Sequence, residues 1–519
     1  MTDAVVVGAG PNGLVAANLL VDAGWDVVLL EANDAIGGAV RSSRDVDPAY
    51  VHDTFSSFYP LAAVSPTITK LNLGDYGLEW SNAPAPVGNP VSGGGWALIH
   101  PDPGDTAAAL DELHAGDGQA WLELYADWER VGPAVVDALL SPFPPVRAGV
   151  GVLRQLLGPR GLKRLELLAG PVRWIVDRRF SGEAAKMLMA TNSQHADIAP
   201  TAPGSGLMGW LLVMIAQQYG YPVPRGGAGE FSQALVKRFL AHGGSVVCGA
   251  RVDRILVRGG RAIGVRTIDG TEYGAARAVL ADVSAPALYR DLIPPDQLPG
   301  HVLQRLRTFR WDPATIKVDW ALSSPIPWRD QPELAPGTAH LADSVPDLQR
   351  WSKQLSAGWI PDRPFLLMGQ MTTADPTRSP TGTESAWAYT HVPQRTRGDA
   401  GGTLTGRWDD AEAEAMAARI EDRVEQFAPG FSERIVARRI LSPRELERRD
   451  ANLVGGAVNG GTSGLRQELF LRPMPGLGRA ETAVKSLYLA SASAHPGGGV
   501  HGACGSNAAR AALFHARKG

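Results

Sequence analysis

The sequence predicts an α/β fold in which one parallel-sheet domain is interrupted by long insertions. Three observations carry this. Val5-Val6-Val7 enters Gly8-Ala9-Gly10-Pro11-Asn12-Gly13, a helix-like stretch to Val21, and a second apolar run, Val27 to Leu30. Strand-like segments return at Ser245–Cys248, Val252–Val257, Ala262–Thr267 and Ala276–Ala281, after a long helical interval. The chain then closes on a strand at Leu487–Ala490, a glycine-rich loop at Ser491–Val500, and a helix over Gly505–Arg517.

The first element is a G-x-G-x-x-G turn between strand and helix. Gly8 permits the tight turn, Gly10 lets backbone approach a pyrophosphate, and Gly13 lets the helix pack closely on the sheet. Pro11 and Asn12 complete the loop. The helix N-terminus offers free N–H groups and partial positive charge to phosphates. Glu31, followed by Ala32, ends the second strand where a carboxylate accepts ribose hydroxyls. A bare βαβ turn is the alternative to this Rossmann-like dinucleotide site. Just downstream, Asn33 to Arg41 reads N-D-A-I-G-G-A-V-R. Its Gly37, Gly38, Ala39 and Arg41 resemble the second fingerprint of FAD-binding oxidases and desaturases, which selects FAD over a nicotinamide cofactor.

At 519 residues the chain has room for two or three domains. Its 44% apolar and 20% charged content are those of a folded protein, and a net charge of -3 gives no general pull towards nucleic acid. Only Cys248 and Cys504 are present, with no C-x-x-C, so dithiol redox chemistry and cysteine-rich metal sites lack ligands. Cys504 reads as a small packing residue. No metal site is expected. The fingerprint begins near the first residue and no apolar run is long enough to span a bilayer. The expectation is a cytoplasmic protein, free or attached to the inner face of a membrane.

Between the fingerprints and the first insertion, Val46 to Phe58 carries His52 and Asp53, which either line a cofactor ring or serve as a buried histidine and a loop carboxylate. Pro84 to Pro103 reads as turns, with a hairpin at Gly93-Gly94-Gly95. Helical patterns follow at Thr106–His114, Gln119–Leu140 and Arg147–Leu168. From Ala138 to Lys186 nine bases, Arg147 and Arg154 among them, face three acids, interleaved with leucines and aromatics. Such a stretch is either a solvated helix face or a surface that meets anionic membrane. Gly206–Tyr219 is a buried helix by composition, suited to core or to a greasy tunnel. Asp282, after the Ala276–Ala281 strand, reads as a cap for the next helix. Ala411–Phe427 is a helix stopped at Pro429-Gly430. The C-terminal loop and helix form a second anion-binding arrangement, able to stabilise negative charge on a reduced flavin.

Four stretches, V-V-V-G-A-G-P-N-G-L, E-A-N-D-A-I-G-G-A-V-R, P-R-G-G-A-G-E-F and L-Y-L-A-S-A-S-A-H-P-G-G-G-V-H-G-A-C-G-S-N-A-A, together resemble the bacterial phytoene desaturase superfamily. The nearest resemblance is to its desaturase-type β-carotene ketolases and pyridine nucleotide-disulphide oxidoreductase domain-containing proteins. The resemblance implies an amine-oxidase-like fold. Residues 1–83, 222–297 and 481–519 would form the FAD domain. Residues 84–221 and 298–480 would form a mixed α+β substrate domain, helical over about 105–220. It implies cofactor roles for Gly8, Gly10, Gly13, Glu31, Gly38 and Arg41, for the backbone at Val252 near adenine, and for Gly498, Gly499, Val500 and Gly505 beside the ring. The expected reaction is hydride transfer from a hydrophobic, isoprenoid- or carotenoid-like C–H bond to flavin N5, with oxygen or a quinone as final acceptor. His52, Asp53, His195 and His495 are candidate proton acceptors. An amine oxidase of the same fold and a non-catalytic flavin-stabilised scaffold are the rival readings.

Overall fold

A computed structural model describes residues 2–158, 160–468 and 471–518. Its first seven-stranded sheet draws strands from three separated stretches of chain. Leu487–Leu489, Glu272–Ala281, Thr2–Val7, Val27–Leu30 and Ser245–Val247 run parallel in that order. The strands Val252–Arg258 and Arg261–Thr267 extend it antiparallel from the first half of Glu272–Ala281. Val27–Leu30 is buried throughout, as expected for a parallel strand covered on both faces. The helices Pro11–Asp22, Ala228–Ala241 and Ala503–Ala516 cover one face, with Leu14, Leu20, Phe231, Phe239 and Ala508 in its core.

Register decides what the sheet presents at its carboxyl edge. Val7 lies opposite both Leu30 and Ala281. The next residues, Gly8, Glu31 and Asp282, therefore leave three adjacent strands side by side. This is the edge at which ligands bind open α/β sheets.

The second sheet has the order Ile435–Leu441, Ala314–Leu322, Glu384–Val392, Leu366–Gln370, Pro336–Leu341, Ala85–Pro90 and Trp96–Leu98. Only its Pro336–Leu341 and Ala85–Pro90 pair is parallel. The turn at Gly93 to Gly95 joins the last two strands, as the sequence predicts. Asp410–Glu425 packs on this sheet through Met416, Ile420 and Val424. A separate helical layer closes around Trp121, Trp128 and Trp210. Among the described residues, no helix is long and apolar enough to cross a membrane.

Two local expectations change. The Arg147–Leu168 pattern splits into Val146–Leu156 and Gly161–Ala169. Gly161 sits so close to the Leu156 carbonyl that any Cβ there would collide, and Arg160 takes a left-handed φ of 66°. The chain reverses too tightly for one helix to continue. Asp282 does not cap the following helix. Pairing with Thr2–Val7 brings it to the first helix, where its Oδ2 accepts the Gly13 N–H at 2.8 Å.

Candidate active site

Two helix N-termini meet at the carboxyl edge of the first sheet. Pro11–Asp22 starts after Gly10, and Ala503–Ala516 starts after Gly502, with no acidic residue in either first turn. Gly505 lies directly against the Asn12 carbonyl, closer than any side chain would allow. Both positive dipole ends thus point into one region. Gly8 has φ 94°, and a Cβ there would sit 2.7 Å from the Asp282 carbonyl oxygen. The second loop packs straight on the first: Gly37 N–H donates to the Ala9 carbonyl at 2.9 Å, and a Cβ on Gly38 would lie 2.9 Å from the Gly10 Cα.

The charged groups are held from the backbone. Glu31 accepts the Ala9 N–H at 2.8 Å and the Asn33 N–H at 2.9 Å. Ala32 is exposed, and Val252 is buried at the start of its strand. Arg41 donates to the carbonyls of Gly38 at 2.9 Å and Arg449 at 2.8 Å, and lies over the Phe55 ring. Ala39 accepts from Ser56 Oγ at 2.9 Å. Opposite, Gly498 and Gly499 pack against Asn459 and Leu61, with Val500 half-buried. His501, which the sequence reading did not single out, accepts the Ala503 N–H at 3.0 Å through Nδ1. Burial holds its pKa down to about 4, so it stays neutral and able to accept.

Two further carboxylates, neither predicted as cofactor residues, join Glu31. Burial pushes Asp282 up to about 8; the Gly13 N–H opposes this, and the charges of Asp450 and Glu31 add to it. Burial likewise raises Asp450, against the Asn452 N–H and Arg41. The sequence signal for Asp282 was an apolar run ending in an acid, as at Leu30-Glu31. A dinucleotide fits these residues. The glycine cradle leaves no room for side chains, the helix N-termini suit phosphate oxygens, and Asn12 Oδ1, Ser506 Oγ and Asn507 Oδ1 are buried there without partners among the described residues.

The four proton-acceptor candidates are not brought together. Asp53 accepts from Ala228 N–H at 2.7 Å and Ser42 Oγ at 2.8 Å, and pairs with Arg378 at 3.0 Å. Arg378 also pairs with Asp375 at 2.8 Å, all three essentially solvent-free. Asp53 thereby anchors the P-R-G-G-A-G-E-F segment and the helix that follows it. Buried Lys317 donates to the Asp53 carbonyl at 2.5 Å and to Asp319 at 2.5 Å. His52 faces the Trp320 carbonyl at 3.0 Å, and burial, partly offset by Asp319, lowers its pKa. His495 faces the Ser141 carbonyl at 3.1 Å. Cys504 is a buried thiol pushed up to about 12 by burial, consistent with packing.

His195, itself half-buried, enters a different cluster with the buried Tyr221, His340 and His391. Its ring lies 5.5 Å from His340 and 6.2 Å from Tyr221. Burial brings His195 down to about 4, and lowers His340 further below its usual value. His195 Nδ1 and His340 Nε2 have no partner among the described residues. Asp197 meets His391 at 2.5 Å and accepts from the Asn459 side chain. Burial pulls His391 down, but Asp197, with help from Asp312, outweighs it and the net direction is up. Tyr389 lies 5.4 Å from His391 and stacks on Trp387 at 5.8 Å. Nothing in the local sequence around His340, His391 or Asp197 marks them, because they meet only through strand pairing and helix packing.

A discontinuous Rossmann-like sheet with two glycine loops, clamped by a distant C-terminal helix and joined to a second sheet, defines a flavoprotein. Residues 6–71 match the NAD(P)-binding Rossmann-like domain, and residues 168–513 match the flavin containing amine oxidoreductase family. The chain belongs to that flavin-containing family, and its cofactor is FAD. It is 30% identical to rat pyridine nucleotide-disulfide oxidoreductase domain-containing protein 2 over 550 residues, spanning 98% of this chain and 92% of the rat protein. It is 25% identical to the neurosporene-forming phytoene desaturase of Rhodobacter capsulatus, again over 98% and 92%. Both relatives lie in the superfamily that the motifs indicate. Putrescine oxidase with bound putrescine superposes with a TM-score of 0.60 at 16% identity over 99% of each chain. An oxidoreductase from Methanosarcina mazei gives 0.61 at 16% identity, over 98% of this chain and 99% of that one. At such identities the likeness is one of fold.

Proposed function

We propose that this protein dehydrogenates C–H bonds of an uncharged, hydrophobic substrate of isoprenoid or carotenoid type. One observation carries the reading: in the aromatic cluster around His195 and His340 burial pushes both imidazole pKa values down, and His195 Nδ1 and His340 Nε2 have no partner among the described residues. Such a wall suits an apolar chain better than a cation. The full-length similarity to phytoene desaturases supports the same substrate class. When bound, FAD supplies the hydride acceptor. Trp387 and Tyr389 exclude water and orient the chain by contact. His195 accepts the released proton at Nδ1, and the nearby Asp197 charge favours the imidazolium so formed. The converging helix N-termini favour negative charge gathering in the clamp. Oxygen or a quinone serves as the final electron acceptor.

The test is anaerobic mixing with linear polyenes and, separately, with primary amines. Loss of flavin colour with a polyene is expected. Loss of colour with amines alone, and peroxide on admitting air, would replace this reading with an amine oxidase of the same fold. His195→Gln is expected to slow bleaching about a hundredfold to ten-thousandfold at unchanged flavin content.

A further inference from the structure

We propose that the helices Val146–Leu156 and Gly161–Ala169 form a docking face for an anionic lipid bilayer. Val146, Val150, Leu153 and Leu157 recur at helical spacing on one side and are 67%, 44%, 55% and 80% exposed. A globular protein turns such a stripe inward. Here Ala148, on the other side, faces the interior. Leu162, 80% exposed, and Trp174 carry the apolar surface onward to the two following helices.

The charges flanking this surface name its occupant. Arg147 and Arg154 lie a quarter-turn from the stripe by helical spacing. Lys163 follows Leu162, and Arg178 sits 4.5 Å over the Trp174 ring. The neighbouring Arg164 and Arg173 are neutralised by Asp127 and Asp177. Arg147, Arg154, Lys163 and Arg178 have no ion pair among the described residues. Leucines beside unpaired bases, with a tryptophan at the edge, match the acyl boundary and phosphates of an anionic membrane surface. A two-fold contact between copies would set this basic face against itself, so a second copy is disfavoured.

The face is also close to the clamp. Ser141, just before the first of these helices, accepts from His495 of the C-terminal loop, and Phe143 meets the His495 ring at 6.2 Å. A substrate leaving the bilayer would have a short path inward. That last point rests on the proposed function, whereas docking is measured without turnover, so the two fail separately.

The experiment is co-sedimentation of the flavin-loaded protein with vesicles of phosphatidylcholine plus phosphatidylserine, and of phosphatidylcholine alone. Wild type is expected to sediment with the anionic vesicles and to be released by salt. Leu153→Glu with Leu157→Glu is expected to abolish sedimentation. Arg147→Gln, Arg154→Gln and Lys163→Gln together should weaken it on the order of a hundredfold, from roughly fivefold per charge. All five side chains are exposed and lie outside the clamp, so melting temperature and flavin content should not change. Wild type remaining in the supernatant overturns the proposal, as does equal sedimentation of the variants. It is also overturned by equal binding to both vesicles, or by a wild-type dimer that Leu157→Glu dissociates.

Discussion

Asp282 offers the sharpest check on how the clamp is built. It leaves the strand beside Thr2–Val7, is fully buried, and receives the Gly13 N–H at 2.8 Å. Burial raises its pKa from 3.8 to about 8. For an acid raised on folding, the folded state binds the proton more tightly than the unfolded state. Its stabilising effect is therefore complete below the unfolded value and is lost as pH rises through the folded one. A shift of about four units at about 1.4 kcal/mol each is on the order of 5 kcal/mol over the full interval, in protein stripped of cofactor. Asp282→Asn keeps an oxygen for Gly13 and removes the titration. The assay is urea unfolding of stripped wild type and variant at a series of pH values from about 4 to about 9. The wild type should lose stability steeply as pH rises, and the variant much less. Equal slopes would refute the argument that burial of this carboxyl governs the apo clamp.

Three other outcomes follow from the same geometry. Gly38→Val places side-chain atoms against Gly10 and should leave the protein deficient in flavin, read as flavin absorbance per protein after gel filtration; full occupancy would count against the two-loop contact. Arg378→Met leaves Asp53 and Asp375 buried without their cation and should cost about 3–5 kcal/mol in urea unfolding. A loss within experimental error would remove Asp53 from its anchoring role. Asp197→Asn should lower the His391 pKa, followed by the imidazole proton signals in NMR titration. Because His391 is raised on folding, the stability it contributes is present below about 6.5 and lost as pH rises through its folded value, so the variant's deficit should be largest on the acid side.

Legibility in the sequence tracked how local each interaction is. Gly8, Gly10, Gly13 and Glu31 could be read directly, because a tight turn and a strand end are specified within a few residues. Gly37 and Gly38 were readable for the same reason, although their contact with Ala9 and Gly10 was not. Asp282 was readable as an acid after a strand but was assigned to the wrong helix, since only pairing with Thr2–Val7 carries it to Gly13. His52, Asp53, His195 and His495 were equivalent as isolated residues. Their partners, Trp320, Arg378, His340 and Ser141, come from distant parts of the chain and give each a different environment.

The basic helices show the same division. Periodicity in the sequence separates an apolar side from a polar one, but it cannot say which side the rest of the protein covers. Packing through Ala148 left Leu153 and Leu157 outside. By itself, then, the sequence determined a dinucleotide clamp, because glycine spacing and short-range strand–helix order set backbone shape, and the resemblance of its second loop to FAD-binding oxidases and desaturases pointed to FAD. Tertiary structure alone decided which carboxyl pKa values are pushed up, which histidine pKa values are pushed down and which leucines face solvent. Desolvation and exposure depend on every atom packed nearby, and most of those atoms arrive from hundreds of residues away.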